Sequence, residues 1–218
     1  MANVLLIGAT GFVGTALLNE LLSRGHQVTA IVRNAARLAV THERLTIVEG
    51  DATDVATLAA VDNVDAVISS FNAGWSNPNL YEDIKAAYPR IVEGVKQSGA
   101  KRLLVVGGAG ILYVQPGVRL VDSGLLPAEW MPGVRAMAEF YLNTLSNETQ
   151  LDWTYLAPAG NLGNLQPGTR TGQYRVGSDS LLTDANGDSF ISVEDYAVAM
   201  VDELESPKHS RQLFTVAY

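Results

Sequence analysis

Asn3-Val4-Leu5-Leu6-Ile7-Gly8-Ala9-Thr10-Gly11-Phe12-Val13-Gly14 begins as an apolar run and ends on three glycines, each separated from the next by two residues. Such a run suits a strand buried on both faces, as in a parallel sheet. From Gly11 to Ser23 the apolar residues then recur at helical spacing. A glycine turn between a strand and a helix is where backbone amides and the positive helix end can hold a phosphate. The first glycine permits the tight turn, the second lets backbone approach a pyrophosphate, and the third allows helix and strand to pack closely. Gly8, Gly11 and Gly14, with Thr10, Phe12 and Val13 between them, are therefore expected to bind a dinucleotide.

Outward from this turn the alternation continues. Apolar runs at residues 3–8, 27–33, 44–49, 65–70, 101–107, 152–156 and 212–216 are separated by helical patterns at 11–23, 53–61, 80–98, 133–145 and 193–205. The order predicts an α/β fold, a Rossmann-type doubly wound parallel sheet of about seven strands, in one domain covering residues 1–218. Residues 158–189 break the rhythm with Gly, Pro, Thr and Asn, and carry only a short strand signal at 173–176. They read as a loop-rich insertion over the carboxyl edge of the sheet, where open α/β folds bind ligands. Ser192 and Asp195 read as a capping box, the hydroxyl accepting the Asp195 amide and the carboxylate reaching back.

The 218 residues are 47% hydrophobic and 17% charged, with no apolar run near the roughly 18 to 20 residues of a membrane span. The first residues lead straight into a strand pattern without the basic and apolar regions of a secretory signal. With no cysteine, neither a disulfide framework nor a thiolate metal site is available, which suits a reducing compartment. A soluble cytoplasmic protein is expected. The formal charge of -8 disfavours nucleic acid and anionic membrane as partners. A small-molecule partner, and a monomer or homodimer, are expected instead.

About 20 residues past a dinucleotide turn, an acidic residue would bind the ribose 2′-hydroxyl of NAD. Here that position holds Arg33, with Arg37 one turn beyond. A guanidinium matches the 2′-phosphate with two parallel hydrogen bonds, so NADP(H) is preferred over NAD(H). Solvated surface arginines are the alternative reading.

With the turn Gly-Ala-Thr-Gly-Phe-Val-Gly, Ile31-Val32-Arg33, Gly50-Asp51-Ala52-Thr53-Asp54 and Val105-Val106-Gly107-Gly108-Ala109-Gly110, the chain resembles the short-chain dehydrogenase/reductase superfamily from end to end. Its length and the tail Ile191-Ser192-Val193-Glu194-Asp195-Tyr196-Ala197 resemble the atypical NAD(P)H-binding branch that holds flavin reductase-like and NmrA-like proteins. The resemblance implies Asp51 beside the adenine, Ser69, Ser70, Phe71 and Asn72 under the ribose, and Pro158 to Asn161 near the nicotinamide. It adds Ala52, Gly107, Gly108 and Arg135 to the cofactor-binding set. Without the family, Asp51 reads equally as a turn cap and Ser69 as a small strand residue.

The superfamily's dehydrogenases use a serine after the fifth strand and a Tyr-x-x-x-Lys pair on the next helix. Here the serine-like position holds Ile111, and aligning the helix through Arg135 and Glu139 puts Met131 at the tyrosine and Arg135 at the lysine. Ketone reduction creates an alkoxide that needs a placed proton donor, and neither a thioether nor an isoleucine can supply one. Flavin reduction is less demanding, because the charge left by the hydride spreads over the rings and solvent can protonate it. FMN or FAD is therefore a candidate substrate, and a quinone is a related one. Phe71, Trp75, Tyr113, Trp130 and Tyr174 are candidate pocket aromatics, and Tyr113 is the nearest substitute acid. Two functions fit, an NADPH-dependent reductase of a flavin or quinone-like acceptor and a non-catalytic NADP(H) sensor, while a sugar epimerase or dehydratase, which normally relies on the same tyrosine, ranks last. His26, His42 and His209 lack ligand spacing, and Asp184 to Asp188 read as an Asn-Gly turn without the glutamate of a calcium loop.

Overall fold

Val4 and Leu6 face one side of the sheet and Leu5 and Ile7 the other, so the first strand is sealed on both faces as its unbroken apolar run requires. The computed structural model describes residues 1–163, 166 and 168–218. Twelve strands occur among them: β1 Asn3–Ile7, β2 Gln27–Val32, β3 Leu45–Glu49, β4 Ala66–Ser69, β5 Arg102–Val106, β6 Tyr113–Gln115, β7 Val118–Arg119, β8 Asp152–Ala157, β9 Asn161–Leu162, β10 Arg175–Gly177, β11 Phe190–Ile191 and β12 Gln212–Ala217. The helices are α1 Phe12–Ser23, α2 Val55–Ala59, α3 Leu80–Gln97, α4 Met131–Asn143 and α5 Val193–Glu205.

The main sheet has the order β10-β12-β8-β5-β4-β1-β2-β3. Its seven parallel strands, β1, β2, β3, β4, β5, β8 and β12, coincide with the seven apolar runs of the sequence. The eighth, β10, pairs antiparallel with β12 and takes the place of the short signal at 173–176, shifted by one or two residues. β6 and β7 form a separate hairpin and β9 with β11 a two-stranded parallel pair. Strand order reverses between β1 and β4, and the crevice outside their carboxyl ends is the switch point where such sheets bind ligands.

One face of the sheet is covered by α2, α3 and α4, through Leu58, Ile84, Tyr88, Ile91 and Phe140. The other is covered by α1 and α5, through Leu17, Leu18, Leu21, Tyr196 and Met200. Burying one such side chain is worth about 1.5–3 kcal/mol, so these two layers dominate the favourable side of folding. His26 is buried, with Nδ1 accepting the Ala2 amide at 3.2 Å and Nε2 2.9 Å from Glu205. Asp184 to Asp188 form a turn, closed by Asp184 N–H to Asp188 O at 2.8 Å.

The start of α5 departs from a capping box. Ser192 Oγ accepts the Asp195 amide at 3.1 Å as expected, but the Asp195 carboxylate does not reach back. It accepts Thr171 N–H at 2.9 Å and Gly172 N–H at 2.7 Å, together with the hydroxyls of Thr171 and Tyr218. The chain between β8 and α5 passes this helix end and offers three donors, and Tyr218, just past β12, offers a fourth, which a single backbone amide cannot match. Residues 164, 165 and 167 of the expected insertion lie outside the described residues. No helix among the described residues is long and apolar enough to cross a membrane.

Candidate functional site

At the end of β1, Gly8 turns the chain with φ +86°, a left-handed conformation that side chains other than glycine rarely adopt. A Cβ there would stand 2.6 Å from the carbonyl oxygen of Ser70, the residue just past β4, so that segment as well as the turn requires glycine. The Gly11 amide donates to Gly8 O at 2.9 Å, closing the turn. A Cβ on Gly14 would stand 1.9 Å from Gly8 O, so α1 packs on the turn only because residue 14 has none. Gly11 differs: it is exposed, and its Cβ would meet only Gly8 O, at 3.3 Å.

Gly11 is the N-cap of α1, no side chain caps this end, and the first turn holds no acidic residue. The amides at the start of α1 and the positive helix end thus face the crevice without a competing carboxylate, the condition for receiving a phosphate. Thr15 Oγ1 turns inward to Gly11 O at 2.8 Å, steadying the cap. Phe12 packs against the opposite wall, its ring 3.3 Å from where a Cβ on Gly163 would stand. Thr10 and Val13 are half-buried, Val13 against the α1–α5 core. The residues present fit a dinucleotide pyrophosphate.

Across the switch point, Ser70 donates to Ile7 O twice, from its amide at 3.0 Å and its hydroxyl at 2.8 Å. Ser69 is buried in β4. Phe71 is half-buried with its ring edge-on to Tyr88 at 5.9 Å, while Asn72 is exposed and accepts the Gly74 amide at 2.7 Å.

At the other end of the crevice, Arg33 leaves β2 exposed, and Arg37 is exposed in the single helical turn Ala35–Arg37. Neither guanidinium forms an ion pair among the described residues. Asp51 caps its own turn, accepting the Thr53 amide and hydroxyl, each at 2.8 Å. The Thr53 amide, helped by its hydroxyl and by the charges of Arg33 and Arg90, holds the Asp51 carboxyl below the usual aspartate range despite partial burial. Arg33 and Asp51 are thus brought to one place, with Ala52 buried beside them.

Beyond β5, the two glycines have a packing role independent of any ligand. A Cβ on Gly107 would stand 2.2 Å from the Tyr155 ring, and the Gly108 amide donates to the Tyr155 hydroxyl at 2.9 Å. Ile111 is buried, Met131 is half-buried at the start of α4, and Arg135 is exposed one turn on. Pro158 is buried after β8, and Asn161 is exposed with its amide on Ser189 O at 2.9 Å. Tyr113 is half-buried in the β6–β7 hairpin, the Arg119 guanidinium 4.3 Å from its ring centre, its backbone bonded to Asp179 and Leu181.

The five candidate aromatics therefore separate. Phe71 belongs to the core, Tyr113 lies under Arg119, and the Tyr174 hydroxyl donates to Asp202 in the last turns of α5, beside Arg24. Tyr174 is thus held where Asp202 lies in the last turn of α5 and Arg24 caps the end of α1, away from the glycine turn at the start of α1. Trp75 and Trp130 stay 54% and 46% exposed. Sequence reasoning missed Tyr88, Tyr155 and the tethering role of Asp195, whose partners lie far away along the chain. The described residues contain no cluster of three or more His, Cys, Asp or Glu able to hold a metal ion.

The sequence pattern of a family described as NAD(P)H-binding matches residues 8–207. The uncharacterized protein YwnB of Bacillus subtilis is 39% identical over 213 residues, covering 97% of this chain and 96% of its own. A crystal structure from Bacteroides thetaiotaomicron, provisionally named an epimerase, superposes with TM-score 0.92 at 47% identity, covering 100% of this chain and 97% of that one. Another from Streptococcus pneumoniae, provisionally named an NADH-flavin reductase, gives TM-score 0.83 at 32% identity, covering 100% and 99%. The chain belongs to this NAD(P)H-binding family, in the atypical branch of the short-chain dehydrogenase/reductase superfamily. Its class is that of the nicotinamide-dependent oxidoreductases.

Proposed function

We propose that the chain is an NADPH-dependent reductase that delivers hydride to a flavin or quinone-like acceptor without a Tyr-x-x-x-Lys relay. The observation that carries this reading is a complete dinucleotide turn combined with Ile111 and Met131 at the relay positions, where neither can donate a proton. Bound nicotinamide supplies the hydride. The chain holds the pyrophosphate at the start of α1, steadies the ribose with the segment after β4 and leaves the acceptor face open to solvent protons. With that hydride, one proton from solvent would complete reduction of the acceptor, since neither Ile111 nor Met131 can supply it.

The preference for NADPH rests on Arg33 and Arg37, two guanidinium groups at the exit of β2 with no ion-pair partner among the described residues. The name of the Streptococcus pneumoniae relative supports a flavin as acceptor, although it specifies NADH. We take residues 158–189 as an insertion in one domain spanning 1–218, and a small molecule as the partner of its site. NADPH oxidation with FMN, riboflavin or a naphthoquinone tests the proposal. Tight NADPH binding without oxidation by any of them identifies a dinucleotide sensor instead.

A further inference from the structure

Trp75 is the most exposed aromatic side chain at the carboxyl edge, yet it is not loosely held. It sits in the loop that follows β4, at the strand beside the switch point. Asparagine side chains shape that loop: Asn72 Oδ1 accepts the Gly74 amide at 2.7 Å, Asn77 Oδ1 accepts the Asn79 amide at 2.9 Å, and Asn77 Nδ2 donates to Asp83 at 2.7 Å. The backbone adds Asn77 N–H to Gly74 O at 2.9 Å. The far edge of the indole lies on α4, where a Cβ on Gly133 would stand 2.9 Å from Trp75 Cζ3 and 3.0 Å from Leu80 Cδ2. A side chain at 133 would require the ring, Leu80 or both to shift. Even so, 54% of Trp75 remains open, and Trp130, the N-cap of the same helix three residues before Gly133, is 46% open. An indole held at its Cζ3–Cη2 edge and more than half exposed offers a stacking surface at little cost in side-chain entropy.

We infer that Trp75 is the platform on which a planar conjugated acceptor stacks, and that Gly133 positions it. The inference rests on the reductase reading, and it assigns acceptor affinity to a residue outside the dinucleotide cradle. Riboflavin is the probe, its equilibrium binding followed by quenching of flavin fluorescence in the full chain saturated with NADP⁺. Trp75→Ala should weaken riboflavin binding roughly fivefold to a hundredfold, the range of aromatic stacking on a nucleobase. Trp75→Phe should retain most of the affinity, Gly133→Ala should lose part of it, and the dissociation constant for NADPH should hold in all three. Circular dichroism checks folding, and the exposed position of Trp75 keeps its variants informative even where Gly133→Ala fails to fold. Riboflavin binding by Trp75→Ala equal to wild type overturns the inference, as does a wild type that binds neither riboflavin nor a naphthoquinone. A wild type that binds riboflavin through Trp75 but never oxidises NADPH refutes the reductase reading and leaves the platform standing.

Discussion

The hydroxyl of Tyr88, wholly inside the core, donates a hydrogen bond of 3.0 Å to the carbonyl oxygen of Phe71, the second residue past the end of β4. Burial pushes this hydroxyl far above the usual tyrosine range, so it is a neutral donor at any physiological pH. The bond connects the α3 layer to the backbone that leads into Asn72 and Trp75. Tyr88→Phe keeps the ring stacked on Phe140 at 4.2 Å but leaves the Phe71 carbonyl without its donor. The expected cost is about 1–3 kcal/mol, read as a lower urea midpoint with an unchanged denaturant slope. An unchanged midpoint would show that the bond is dispensable.

Asp195 makes a prediction about pH. Burial raises its pKa, but hydrogen bonds from the Thr171 and Tyr218 hydroxyls and from the Gly172 and Thr171 amides outweigh that and hold it below the ordinary aspartate value. A carboxylate depressed in the folded state stabilises the fold above its unfolded pKa of about 3.9 and loses that contribution as pH falls through the lower folded value. Asp195→Asn should therefore be destabilised at neutral pH, by about 1.5–3 kcal/mol for lost charge-assisted bonds. The gap from wild type should narrow below pH ~4. A gap independent of pH would mean that shape, not charge, holds Thr171 and Gly172 against the start of α5.

On the proposed reading, the choice of dinucleotide depends on Arg33. Arg33→Asp removes a charge-assisted contact worth about 1.5–3 kcal/mol and should weaken NADPH roughly tenfold to a hundredfold while leaving NADH nearly unaffected. Isothermal titration of both cofactors checks this. Equal losses for the two would remove the 2′-phosphate from the account.

Tyr113 is the phenol nearest in sequence to the missing serine, and its ring is occupied by Arg119. Tyr113→Phe should therefore leave hydride transfer within a few-fold of wild type. A single-turnover rate lowered by about 100-fold or more, the scale of a lost general acid, would show that the relay had moved to this residue.

The legible parts of this molecule were those with a period. Seven apolar runs became seven parallel strands, and α5 begins and ends where its helical spacing does. The glycine turn was legible because strand, turn and helix constrain one another within twelve residues. The β6–β7 hairpin and the β9–β11 pair were not, since strands of two or three residues carry no alternation to detect. Asp195 misled for another reason. A capping box is a local inference, whereas its carboxylate answers to Thr171 and Tyr218, residues 24 and 23 positions away. The contact of Trp75 with Gly133 spans a still longer stretch of chain and depends on how α4 lies against the loop, which only tertiary packing determines.

Whether the dinucleotide turn serves hydride delivery to a conjugated acceptor is tested by one stopped-flow experiment. Wild-type protein and Gly11→Val, each premixed with NADPH, are mixed anaerobically with excess FMN while reduced nicotinamide and oxidised flavin are followed together. Wild type should consume one NADPH per flavin reduced. Gly11→Val should show no reaction above background, because its branched side chain would fill the space at the start of α1 where backbone must meet the pyrophosphate. Flavin reduction at the same rate in both proteins would contradict that role of the turn, and so would wild-type protein that binds NADPH tightly yet leaves FMN, riboflavin and a naphthoquinone oxidised.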